Sequence, residues 1–237
     1  MKKILTFIIL GLGFAAASCT KADVSESKGE GMLSVDMSIA SQTRAAVGED
    51  ELLNTAVVNI YKADFSGLVR SYTYSDIPSP MYLAADKYRV DVLAGEAVAA
   101  TPEGASWDSK SYKGSQAFEI VAGQVTTVQV VANVNNAVTK ASFDPTVAEN
   151  FNEGYTLTMT LSDEAASTLV YDASKSGAEG YYIVAGLFEP SLTWTFTGTL
   201  AKDGSSFTKT GVIENVEPGK LYNMNLKYTI KDGDLVF

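Results

Sequence analysis

Histidine is absent from all 237 residues, cysteine occurs once, at Cys19, and arginine three times, at Arg44, Arg70 and Arg89. Without histidine the chain lacks the commonest general base and the commonest metal ligand. Ser–His–Asp and Cys–His catalysis, and zinc or haem sites of the usual kind, are therefore excluded. Paired-carboxylate hydrolysis and Ser–Lys chemistry survive on composition. No motif points to either, and neither a glycine-rich phosphate loop nor a Ser-x-x-Lys at a helix start is present. The pair Asp232 and Asp234 around Gly233 offers two carboxylates, too few for a calcium site. The expectation is a protein that is not an enzyme and holds no cofactor and no metal. Long apolar runs are also missing after the N-terminus, so the mature chain is not expected to cross a membrane.

The N-terminus explains the single cysteine. Lys2 and Lys3 precede an apolar run from Ile4 to Ala17, and small residues lead to Cys19. This is the layout of a secretory signal peptide over residues 1–18. Ala16-Ala17-Ser18-Cys19 resembles a bacterial lipobox, which implies acylation of Cys19 after cleavage. Two or three acyl chains anchor firmly where one binds only marginally. Acylation would also account for a lone thiol in an exported protein. The polar residues 19–31 read as a flexible tether. The expected location is the outer membrane, lipid-anchored through Cys19 and facing the cell surface.

Charge narrows the partners. Cleavage before Cys19 removes only Lys2 and Lys3 from 18 basic residues and leaves all 28 acidic ones, a formal charge of −12. Such a surface disfavours nucleic acid and anionic lipid.

Apolar residues alternate with polar ones through most of the body. Leu33, Val35, Met37 and Ile39 oppose Ser34, Asp36 and Ser38. The same period of two runs through Tyr155–Leu161, Leu192–Phe196 and Tyr222–Ile230. Each reads as a strand with one buried face, and Trp194 falls on such a face. Asp203-Gly204 marks a hairpin. Only "EDELLNT" and "DPTVAENFN" suggest a turn of helix. The fold class is all-β: two consecutive antiparallel β-sandwiches of transthyretin or immunoglobulin type, over 32–135 and 136–237. Trp107 and Tyr112, in and after the long loop "EGASWDSKSY", are candidates for a sugar-stacking platform.

"MYLAADKYRVDVLAGE" and "SYKGSQAFEIVAGQVTTVQVVANV" resemble the N-terminal module of Bacteroidetes-type fimbrillin-like surface lipoproteins, a set largely known as a domain of unknown function. Asp86 stands at a tight turn where that pattern has glycine; aspartate tolerates left-handed backbone better than most residues, so a left-handed turn is expected there. The resemblance implies a structural or adhesive surface protein, a minor or anchoring pilus subunit, with itself or other pilins as partners. In that family a trypsin-like protease cuts after an arginine beyond the first strand, and a strand from the next subunit fills the vacated groove. The matching residues are Arg44 and Ala45 in "QTRAAVGED"; Arg70 and Arg89 fall in expected strands. The second reading is a surface lipoprotein that binds a host or glycan ligand through Trp107 and Tyr112.

Overall fold

The computed structural model describes residues 29–40, 49–64, 66–99, 104–162, 167–184, 187–229 and 234–236. Cys19, Arg44 and Ala45 lie outside the described residues, as do the signal-peptide segment and residues 19–28 of the expected tether.

The first strands, β1 (Glu30–Ile39), β2 (Val57–Lys62), β3 (Leu68–Thr73), β4 (Met81–Ala84) and β5 (Asp86–Gly95), are followed by β6 (Ala105–Ser106), β7 (Ser111–Ile120) and β8 (Val125–Val134). Hydrogen bonding runs in the order β3-β2-β5-β7-β8-β1-β4. The link from β7 to β8 is only two pairs, Tyr112 with Val134 and Lys113 with Asn133. The hairpin then splays, leaving β3-β2-β5-β7 on one side and β8-β1-β4 on the other. Gly114 lies tight against β8 where the pairing ends: a Cβ there would sit 2.6 Å from the Val131 carbonyl oxygen. Val58 and Ile60 of β2, Val90 and Val92 of β5, Leu33 and Met37 of β1, and Val128 and Val130 of β8 share one buried cluster between the two sides.

The second group begins with β9 (Ala137–Phe143) and continues through β10 (Thr156–Leu161), β11 (Thr168–Tyr171), β12 (Glu179–Tyr182), β13 (Leu192–Thr199), β14 (Ser206–Ile213), β15 (Leu221–Thr229) and β16 (Asp234–Val236). These form sheets β11-β10-β13-β14 and β16-β15-β9-β12-β6. A second cluster, rich in rings, fills the space between them. Phe151 meets Phe196, Phe207 and Tyr228 edge-on at 5.1–5.4 Å. Trp194 is 9% exposed, in the core as the alternation predicts.

Among the described residues helix is confined to short pieces, chiefly α1 (Glu49–Thr55) and α2 (Pro145–Asn150). In α2 the Asp144 carboxylate accepts from the Thr146 amide at 3.0 Å, and Pro145 occupies the first turn. A capping acid followed by proline is a helix start legible in sequence. Among the described residues no helix is long and apolar enough to cross a membrane.

The architecture is all-β and sandwich-like, with four departures from the expectation. First, β1 runs parallel to β8 and β15 runs parallel to β9, so the sheets are not wholly antiparallel. Second, β1 starts at Glu30, two residues inside the expected tether. Third, β6, from the range assigned to the first sandwich, pairs with β12 in the second group. Fourth, Asp86 is not among the positive-φ residues, which outside glycine are Ser162, Glu189 and Asn215 among those described. Its carboxylate instead accepts from the Lys62 ammonium at 2.8 Å.

Candidate functional site

The first strand is held between two neighbours. Met32 to Ile39 lie in parallel register with Val125 to Ala132 of β8, and Glu30 to Leu33 pair antiparallel with Ala84 to Met81 of β4. The ends are tied as well. The Met32 amide donates to the Gln124 carbonyl and the Ala40 amide to the Ala132 carbonyl, both at 2.8 Å. Gly31 lies so close to the turn after β7 that a Cβ would stand 2.4 Å from the Val121 carbonyl oxygen.

Below the strand lies the core. Leu33, Met37 and Ile39 are 1%, 5% and 9% exposed, and Val35 packs half-buried against the same cluster. This is the face the alternation predicts. Burying three such side chains fully and Val35 by about half contributes on the order of 5–10 kcal/mol. That is comparable with the net stability of a whole domain, about 5–15 kcal/mol.

Beyond Leu33 the pairing with β4 ends. The amides of Met32 and Ala40 point to β8, so by alternation those of Val35, Met37 and Ile39 point to the other edge. There the Met37 amide donates to the Tyr74 hydroxyl at 3.2 Å. Tyr74, Ile77, Leu52 and Leu53 pack against the same cluster. A side-chain lid thus replaces strand pairing along the second half of β1.

The other candidate region is the loop carrying Trp107. β6 pairs with Tyr181 and Tyr182 of β12, and the Ile183 amide donates to the Gly104 carbonyl at 3.0 Å. Trp107 packs half-buried on the second cluster. Its ring meets Tyr171 edge-on at 4.8 Å, and the Lys175 ammonium stands 4.9 Å from its centroid. Tyr112 belongs to the first cluster and is 7% exposed. The two rings expected to make one platform therefore sit in different cores, and Tyr112 presents no open face. The physical reason is the alternation of β7, which turns Tyr112 inward at the strand's start.

Around this loop burial sets the acid–base behaviour. Burial pushes the Tyr171 hydroxyl up to about 12, against the opposing hydrogen bond with Thr139. Burial also raises Tyr182, and raises Tyr181 together with its hydrogen bond to Glu179. These are groups kept neutral in a core. Among the described residues no group of three or more carboxylate or thiol side chains is arranged to hold a metal ion.

Sequence reasoning found the buried face of β1 but missed its lid. Tyr74 carries no positional signal, because its hydroxyl acts on a strand 37 residues away.

The class these elements define is an all-β protein of stacked sandwich sheets whose first strand is seated by its neighbours rather than by a hairpin. The chain belongs to the family DUF4493, a domain of unknown function, whose match spans residues 29–235. Among solved structures the chain is similar to a fimbrial assembly protein from Parabacteroides distasonis (11% identity, 87% of this chain and 97% of that one, TM-score 0.49). It is also similar to a candidate cell adhesion protein from Bacteroides eggerthii (10% identity, 84% and 86%, TM-score 0.46). A third is a candidate polysaccharide-binding protein from Bacteroides thetaiotaomicron (9% identity, 84% and 91%, TM-score 0.44). No curated protein matches.

Proposed function

We propose that the chain is a non-catalytic cell-surface lipoprotein, structural or adhesive, anchored through acylated Cys19 and able to act as a minor or anchoring pilus subunit. The observation that carries this reading is the seating of β1. It lies between β8 and β4 with one face in the core, and Arg44 follows its last residue by five positions. Cutting after Arg44 separates that strand, with the lipid, from everything that follows. The exposed neighbours would then carry unpaired backbone beside an apolar groove, a combination that captures an extended segment.

A synthetic peptide of residues 30–40 tests this. Trypsin-cut protein freed of its N-terminal fragment should bind the peptide and regain thermal stability. A peptide with Leu33 and Met37 replaced by serine should fail. Equal recovery with both peptides, or with neither, contradicts the reading.

A further inference from the structure

We propose that the end of the first sandwich from which β1 emerges rests on the lipid surface to which Cys19 is anchored. The inference builds on the lipoprotein reading and adds a defined contact face.

The outward side of β8-β1-β4 carries a cross-strand apolar row. Met32 is paired with Tyr82 on one side and with Val125 on the other. Tyr82 is 56% and Val125 62% exposed. The adjoining turn adds Val121 at 43%, with Ala122 exposed beside it. This turn stands against the chain entry: a Cβ on Gly29 would come within 2.9 Å of the Ala122 Cβ. Farther along, the same face turns polar, reading Ser34 beside Thr127 and Asp36 beside Gln129, with Val131 apart beside Ser38. The apolar side chains thus gather where the chain enters, with one exposed acid, Glu30, paired with Ala84 at the edge of the row.

The sequence states what lies close to that end. Only residues 20–28 separate Cys19 from Gly29. Fully extended, such a segment reaches about 30–35 Å, and as a flexible coil about half that. The row is therefore held close to the bilayer. Tyrosine suits such a boundary, with an apolar ring and a polar tip. The mature charge of −12 argues for a zwitterionic rather than an anionic surface. Met32 is itself part of β1. Cutting after Arg44 would thus split the contact face at the moment the lipid is lost, and anchoring and release would share one strand.

The test is hydrogen exchange on the acylated full chain in phosphatidylethanolamine–phosphatidylcholine vesicles. The comparisons are Cys19→Ser in solution and an acylated Tyr82→Ser, Val125→Ser double variant on the same vesicles. Both replaced residues are exposed, and thermal unfolding checks that the double variant folds. The expected result is exchange slowed about tenfold across residues 81–84 and 121–125 in the anchored protein, lost in both comparisons. Acylated protein with no protection there overturns the contact face and leaves the lipoprotein reading intact. Protection that grows with protein density on the vesicle, or that persists in Cys19→Ser, assigns the face to a second copy and overturns the proposal. An unmodified Cys19 by mass spectrometry overturns both.

Discussion

Replacing Trp107 with alanine separates the two roles this residue can have. In the structure its ring locks the loop from the first group onto the second core. The edge contact with Tyr171 at 4.8 Å is worth about 0.5–1.5 kcal/mol beyond area. The Lys175 ammonium at 4.9 Å, on a partly exposed ring, adds about 0.5–1 kcal/mol. The ring is half-buried, so its apolar burial contributes roughly half of a full side chain, about 1 kcal/mol. The expected destabilisation is about 2–3 kcal/mol. Urea unfolding at neutral pH should show it as a midpoint lowered by about 1 M, given slopes of about 1–3 kcal/mol/M. Trp107→Phe should recover most of the loss. A Trp107→Ala protein with an unchanged midpoint refutes the packing argument. If it also lost binding on a glycan array, the glycan-binding reading would replace it.

Further outcomes follow from other sites. Gly114→Val places a side chain against the Val131 carbonyl oxygen; the clash is with backbone, and thermal unfolding should register a loss of about 1–3 kcal/mol. The Tyr171 hydroxyl is neutral in the fold, and burial pushes it up to about 12, above the ordinary tyrosine value of about 10. Its contribution is fully present below pH 10 and lost as pH rises toward about 12, so a stability titration should be flat from neutrality to pH 10 and fall above it. Far-ultraviolet circular dichroism should show strand as the dominant component and helix as a small minority, in line with the 59% strand and 12% helix of the described residues; a helical fraction above roughly a third contradicts the fold. Leu33→Ala, at a side chain 1% exposed, should cost about 2–5 kcal/mol, whereas Ser34→Ala on the opposite face should stay within about 0.5 kcal/mol.

The longer alternating strands were readable, because a period of two needs only a local pattern, whereas the short β6, β11 and β12 are too brief to show one. The inward set Leu33, Val35, Met37 and Ile39 and the core position of Trp194 came directly from alternation. Which strands pair was not readable. Alternation assigns a face but names no neighbour, so the parallel pairings of β1 with β8 and β15 with β9 left no local mark. The migration of Ala105 and Ser106 into the second group was hidden for the same reason. Trp107 and Tyr112 stand five positions apart in sequence, yet the two cores claim one each. Asp86 shows how a local rule loses to a tertiary one. An acid expected to tolerate a left-handed turn opens β5 instead, paired with Lys62.

The most direct measurement is the size of the protein after limited trypsin treatment, with Arg44→Ala as the control. On the proposed reading, cutting after Arg44 frees β1 to leave a groove whose filling contributes on the order of 5–10 kcal/mol. Cut protein is expected to assemble, with itself or with co-expressed pilins, while Arg44→Ala stays monomeric under the same treatment. Cut protein that remains monomeric in both settings contradicts it.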